Sequence, residues 1–217
     1  MPRFFITSDD INEGTAVIRG QDAFHIARSL RMAVGDSITV SDGEGVDYTL
    51  RLTKIRDEEC VGEITDSAPS LVESPALISL YVAYPKGDKL ETVIQKAVEL
   101  GAHRIIPFES SRCIKRPKAE KCEKLLARLN RIAEEAAKQC GRARLPIVSA
   151  PIDFGSAVAE AAKAELALFC YENEDGYSIK DAIKKYSTPK TVSVTVGAEG
   201  GFSPEEALMQ GMRGLYP

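Results

Sequence analysis

The sequence predicts a two-part protein: a small β-barrel first, then an α/β domain whose mostly parallel sheet carries helices on both faces. Three observations support this. Residues 1–70 hold short apolar or alternating segments separated by turn residues. From Ala76 on, strand-like and helix-like patterns alternate, as they do when a parallel sheet is built. Between the two, Asp66 to Pro75 mixes small residues with prolines, as a linker does. The expected domains are therefore 1–70 and 75–217.

In the first part, strands are expected at Phe4–Ile6, Thr15–Ile18, Ser37–Val40, Tyr48–Leu52 and Cys60–Ile64. Asp9-Asp10, Gly35-Asp36, Asp42 to Gly45 and Arg56 to Glu58 supply the turns, and one short helix runs from about Gln21 to Leu30. His25 in that helix reads as a packed structural histidine. Strands this short and this closely spaced imply a small barrel.

In the second part, Leu77–Ala83 is a strand leading to Tyr84-Pro85-Lys86-Gly87, and Asp88 with Glu91 caps the next helix. Leu90, Val93, Ile94, Ala97 and Val98 form its apolar face. Arg104–Phe108 is the next strand, followed by a long helix from about Ala119 to Cys140 that stops at Gly141. Pro146–Val148 and Leu166–Cys170 are further strands, and Phe154–Lys163 and Ser178–Lys185 further helices. There are no internal repeats and no low-complexity segment.

The last strand, Thr191–Val196, is β-branched at nearly every position and reads as buried. It runs into Gly197-Ala198-Glu199-Gly200-Gly201-Phe202, after which Ser203, Pro204 and Glu206 spell a helix start with a capping box. Glycines here let backbone approach a ligand, and the carboxyl ends of strands are where open α/β sheets bind ligands. An ordinary tight strand-to-helix turn has the same pattern.

The 217 residues carry a net charge of −4, unevenly spread. Between Arg104 and Arg144 there are twelve Lys and Arg against five acids. On the long helix Lys121, Lys124, Arg128, Arg131, Glu135 and Lys138 recur at spacings of three and four, so the charge lies along one face, with Arg142 just beyond. A basic stripe in an acidic protein fits a polyanion, although a solvated helix face gives the same spacing.

No run is apolar enough to cross a bilayer, and the amino terminus lacks a signal peptide's apolar core. Five cysteines without a C-x-x-C pair, and only two histidines, argue against a zinc site and for a reduced, cytoplasmic protein without metal. Dinucleotide fingerprint, phosphate loop and hydrolase elbow are all missing. What is left is a glycine loop, a strand ending at Tyr171-Glu172, and a basic helix: a small-ligand pocket beside a polyanion surface.

Several stretches together resemble the RsmE family, SPOUT-class methyltransferases that modify N3 of a uridine in 16S ribosomal RNA. They are Arg3-Phe4-Phe5, His25 to Met32 with Gly35-Asp36, Asp42-Gly43, Lys86 to Glu91, Gln95 to Gly101, Arg131 to Arg142, and Val196 to Ser203. The resemblance implies a PUA-like RNA-binding barrel, a SPOUT domain of the trefoil-knot type, and a homodimer. It implies S-adenosylmethionine as methyl donor, held by Tyr171, Glu172, Gly197, Glu199, Gly200 and Gly201. It also implies 16S rRNA or the 30S subunit as partner, with no DNA and no membrane. Arg3, Arg28, Arg31, Lys86, Lys89, Lys121, Lys124, Arg128 and Gln139 are the expected RNA contacts, and Arg131 and Arg142 the candidate catalytic cations. Alternatives are a SPOUT enzyme for a tRNA or 23S rRNA site, or a non-catalytic RNA-binding fragment.

Two departures bear on these expectations. The family continues past the glycine helix into a segment of the type L-G-x-R-I-L-R-x-E-T-A, where this sequence reads Gly214-Leu215-Tyr216-Pro217. An incomplete knot and weak donor binding by residues 1–217 are expected from that. Ala198 stands where the family usually has proline.

Overall fold

The computed structural model describes residues 2–113, 122–172, 178–186 and 188–211. It divides into two compact units, Met1–Glu73 with Ala137–Leu145, and Ser74–Ala136 with Pro146–Pro217. Residues 137–145, expected in the second domain, thus fall in the first unit.

The first unit is built on β1 (Arg3–Phe5), β2 (Ile11–Asn12), β3 (Thr15–Arg19), β4 (Ser37–Ser41), β5 (Val46–Ile55) and β6 (Glu59–Pro69). They pair in the order β1-β4-β5-β6-β3-β2, parallel at β1–β4 and antiparallel elsewhere. Register shifts between Thr49 and Leu50 and between Leu52 and Lys54 bend the long β5–β6 hairpin. Among the described residues β1 and β2 do not pair, so the sheet is curled and open rather than a closed barrel. Alternation places Ile38 and Val40 of β4 and Leu50 and Leu52 of β5 in one core, with Ile18 and Ile26.

The helix after β3 is α1 (Gly20–Phe24), which widens into a π-type turn over His25–Ser29. Ala23 and Ile26 face the core. His25 is exposed, touching the Phe4 ring edge-on at 6.3 Å, which corrects the expectation of a packed histidine. The linker is also shorter than expected, because β6 continues through Pro69 by pairing with Val46.

The second unit holds β7 (Leu77–Ala83), α2 (Lys89–Glu99), β8 (Arg104–Glu109), α3 (Cys122–Cys140), β9 (Ile147–Val148), β10 (Ile152–Asp153), α4 (Phe154–Ala161), β11 (Leu166–Cys170), α5 (Ile179–Lys185), β12 (Thr191–Val196) and α6 (Pro204–Gly211). The end of α3 passes into the first unit. The strand order is β10-β8-β7-β12-β11, all parallel, with β9 also on β8. β10 was not anticipated: two residues give no periodicity to read. β12, the last strand among the described residues, inserts between β7 and β11 rather than adding at an edge.

Both sheet faces are covered, and β11 shows why its run is continuously apolar. Ala167 and Phe169 face α4 together with Tyr81, Ala83, Ile106 and Phe108. Leu166 and Leu168 face the opposite side with Ala182 of α5. On α3, Leu129, Ala133, Ala136 and Ala137 are buried, while Cys140, expected on the apolar face, is exposed. The first turn expected for α3, with Lys121, and the chain after Gly211 lie outside the described residues.

Candidate functional site

Because β7, β8, β12 and β11 are parallel, their carboxyl ends share one edge of the sheet. The segments leaving that edge are Tyr84 to Lys86, Ser110 to Cys113, Gly197 to Ser203, and Tyr171-Glu172. Side chains tie these four segments to one another.

The glycine loop is anchored from below by Phe202, which is buried among aromatic rings. Its ring lies 4.1 Å from Phe169, 6.0 Å from Phe154 and 6.4 Å from Phe108, centroid to centroid. The Gly201 N–H donates to the Ala198 carbonyl at 2.9 Å, closing a tight turn. Gly201 has φ +62°, and a Cβ there would stand 1.7 Å from Glu172 Oε1. A Cβ on Gly197 would press on the Gly201 backbone at 3.1 Å. The glycines are thus required first by the loop's own packing and by the carboxylate of Glu172 lying on it.

The expected capping box forms: Ser203 Oγ accepts from Glu206 N–H at 3.2 Å, and Glu206 Oε2 accepts from Ser203 N–H at 3.0 Å. Glu206 does more than cap. Its buried carboxylate also accepts from Ser111 N–H at 2.8 Å, tying α6 to the segment after β8. Glu199 accepts from Lys89 Nζ at 2.8 Å and from Lys86 N–H at 3.3 Å. The Lys89 hydrogen bond, helped by backbone N–H groups, pulls the Glu199 carboxyl down to about 2. Lys86 and Lys89, expected on RNA, therefore also hold the glycine loop.

Arg112 was missed by sequence reasoning beyond its count in the basic stretch. Its Nη1 donates to the Gly200 carbonyl, and the guanidinium lies 3.9 Å from Glu172 Oε1. Its position three residues after β8, at the sheet's ligand edge, was the signal that could have found it. Tyr171 packs half-buried against the aromatic cluster, while burial raises the Cys170 thiol pKa. The arrangement offers backbone donors and acceptors, one carboxylate and one guanidinium above an apolar floor, as small-ligand sites do. Among the described residues no group of three or more His, Cys, Asp or Glu is placed to hold a metal. Among them, too, no helix is long and apolar enough to cross a membrane.

The candidate cations fare differently. Arg142 is buried against Glu73, with Nη2 to Oε2 at 2.8 Å and Nε to Oε1 at 2.9 Å. Glu73 also accepts from the Ala143 and Arg144 N–H groups. Arg142, expected as a catalytic cation, is thus held in a buried ion pair within the first unit, and Glu73, expected in the linker, is its ordered partner. Arg131 is exposed and pairs with Glu135 at 2.9 Å, one helical turn on. Arg128 is exposed and pairs with Glu91, and Lys124 and Gln139 are exposed. Arg3 is half-buried against Asp47, and Arg28 is exposed against Asp57. Arg31 is exposed with φ +52°. Of the expected basic stripe, Lys124, Arg128 and Arg131 are exposed along α3, where Glu91 and Glu135 neutralise part of the charge, while Lys138 is half-buried against Asp22.

Residues 72–216 match the family model of an RNA methyltransferase domain, and residues 18–65 that of an RNA methyltransferase PUA domain. Fold and matches define the class, an RNA methyltransferase with a PUA domain. The ribosomal RNA small subunit methyltransferase E of Bacillus subtilis is 30% identical over 213 residues, covering 95% of this chain and 83% of the relative. That of Synechocystis sp. is 29% identical over 216 residues, covering 99% of this chain and 69% of the relative. The crystal structure of the Neisseria gonorrhoeae enzyme of that name, bound to S-adenosyl methionine, aligns with a TM-score of 0.84 at 29% identity. The alignment covers 100% of this chain and 87% of that one. The chain belongs to the ribosomal RNA small subunit methyltransferase E family.

Proposed function

We infer that this protein is an S-adenosylmethionine-dependent methyltransferase of small-subunit ribosomal RNA, acting on N3 of a uridine in 16S rRNA. The observation that carries the reading is the near-full-length likeness to this family, including a relative holding S-adenosyl methionine. The residues fit the donor: backbone N–H and C=O groups of the glycine loop are presented beside Glu172, over an apolar floor.

When bound, S-adenosylmethionine supplies an electrophilic methyl group. Tyr171, Glu172, Gly197, Glu199, Gly200 and Gly201 are the proposed donor contacts. Glu199 serves by fixing the loop through Lys86 and Lys89. Phe202 and Glu206 keep the loop rigid, so that alignment rather than loop ordering sets the rate. Neutral uracil N3 is a poor nucleophile, so its proton must leave, and a nearby cation lowers the cost of the anion. Arg131 remains the exposed candidate for that cation on α3, and Arg3, Arg28, Lys124, Arg128 and Gln139 are proposed RNA contacts.

The reading includes the 30S subunit as substrate particle, a homodimer, a cytoplasmic location and the knotted SPOUT topology. Insertion of β12 in the middle of the sheet supports the last of these. The test is methylation of 30S subunits from a strain lacking its own enzyme, with the product mapped by mass spectrometry. N3-methyluridine in 16S rRNA is expected. Methyl groups found only on tRNA or 23S rRNA would overturn the reading.

A further inference from the structure

We propose that Arg112 and Glu172 form a charged clamp for the amino-acid end of the methyl donor, Arg112 taking its carboxylate and Glu172 its ammonium group. The proposal rests on the function inferred above and deepens it: Arg112 joins the donor contacts, and Glu172 receives a defined part of the ligand.

Arg112 stands on a fixed backbone. Its N–H donates to Ser110 Oγ at 3.2 Å, and the neighbouring Ser111 N–H donates to Glu206 Oε1 at 2.8 Å. From there the side chain runs across Gly200, where a Cβ would lie 3.6 Å from Arg112 Cβ and 3.5 Å from Arg112 Cδ. Nη1 donates to the Gly200 carbonyl. That bond directs the guanidinium, and it leaves Nε and Nη2 without a partner among the described residues. This free edge is the one Arg142 turns to Glu73, and with it arginine grips a carboxylate in two parallel bonds.

Glu172 stands beside it, with Oε1 3.9 Å from Arg112 Nη1. That is too long for a hydrogen bond, and among the described residues the carboxylate accepts none. It lies over Gly201, whose missing side chain makes room for it. The acid of the glycine loop itself, Glu199, differs: Lys89 Nζ and Lys86 N–H already occupy it. Two opposite charges thus stand side by side at the glycine loop, 43% and 44% exposed, each with binding capacity left.

A zwitterion matches that arrangement. The amino-acid end of S-adenosylmethionine carries a carboxylate and an ammonium group on one carbon, so each meets its opposite in the pair. A simple anion would use Arg112 and be repelled by Glu172. An exposed pair at 3.9 Å gains little from its own attraction, so turning to a ligand costs it little.

NMR titration of the protein with S-adenosylmethionine and three relatives tests the clamp without relying on turnover. Decarboxylated S-adenosylmethionine keeps the ammonium group and lacks the carboxylate, and 5′-methylthioadenosine lacks both. S-adenosylhomocysteine keeps both and lacks the sulfonium charge. Arg112→Gln is expected to weaken S-adenosylmethionine and S-adenosylhomocysteine about tenfold and to leave the other two unchanged. Glu172→Gln is expected to weaken those two and decarboxylated S-adenosylmethionine about tenfold, and to leave 5′-methylthioadenosine unchanged. Unchanged binding of 5′-methylthioadenosine also shows that each variant is folded. Equal losses with all four ligands, or none with any, would overturn the clamp. So would a Glu172→Gln loss that spares S-adenosylhomocysteine, because it would place the carboxylate at the sulfonium. Wild-type protein that binds none of the four would count against the inferred function itself, and the clamp would fall with it.

Discussion

Arg142 and Glu73, sixty-nine residues apart in sequence, form a buried bidentate ion pair whose side chains are 7% and 10% exposed. The pair closes the loop after α3 onto the chain that follows β6. Its acid is completed by the Ala143 and Arg144 N–H groups, so four donor groups converge on one carboxylate. Removing either partner leaves a buried charge uncompensated. Arg142→Ala should therefore cost about 3–5 kcal/mol of stability. Chemical denaturation checks it. A variant that unfolds like the wild type but has lost methyl transfer would assign Arg142 a catalytic role.

The same pair makes stability depend on pH. Burial raises the Glu73 carboxyl pKa, but the Arg142 hydrogen bonds and the two backbone N–H groups outweigh it, leaving the pKa below its usual value. A pKa lower in the folded than in the unfolded state means a contribution fully present above the usual carboxylate range, about 4.3. It is lost as pH falls through the folded value. Glu73→Gln should flatten the acid limb of the stability curve between pH 5 and the acid transition, about the range where carboxylates titrate.

Glu199 titrates in the same direction for a different reason. With Lys89 Nζ at 2.8 Å, its carboxyl is held at about 2. Lys89→Ala should move the midpoint, followed by NMR, up toward the ordinary carboxylate range. The pair is exposed, so raising the salt should shrink the difference. A midpoint unchanged in the variant would show that the backbone N–H groups alone hold the charge.

Gly201 carries two constraints that a double-mutant cycle separates. Gly201→Ala meets both the positive φ and the carboxylate of Glu172. Adding Glu172→Ala removes the collision but leaves the backbone cost, about 1–2 kcal/mol. Donor affinity by calorimetry should fall more than tenfold in the single variant and not recover in the double variant. Stability should recover in part. Full recovery of donor binding would remove Glu172 from the proposed donor contacts.

Phe202 is the most heavily packed side chain of the loop. Phe202→Ala should cost about 3–5 kcal/mol, and Phe202→Leu clearly less, because leucine still fills most of the space. Thermal unfolding of the two variants orders them.

Most of the second unit was legible because each signal in it is local. β11 is apolar on both faces, β12 is β-branched at every position but Ser193, and Ser203 to Glu206 spells a cap that satisfies neighbouring N–H groups. The glycine loop was legible as a loop at the carboxyl end of a strand, though not the reason for its glycines. That reason is Glu172, which precedes Gly201 by twenty-nine residues in the chain and touches it in space. The basic stripe was legible on α3, but not its partial neutralisation by Glu91 from α2. The open edge between β1 and β2 was equally out of reach, since closure depends on how far a sheet bends.

By itself the sequence determined which segments are strands and helices, where the loop that gathers the site begins, and the family to which the chain belongs. The first two follow from side-chain period, capping chemistry and turn residues, all of which act over a few positions; the family follows from the resemblance of whole stretches such as Arg131 to Arg142 and Val196 to Ser203. Only the tertiary structure decided that β12 enters between β7 and β11, that Arg112 and Glu172 flank the glycine loop, and that Arg142 is buried against Glu73. Those outcomes depend on which distant groups meet, and a buried charge takes whichever partner the packing brings within hydrogen-bonding distance.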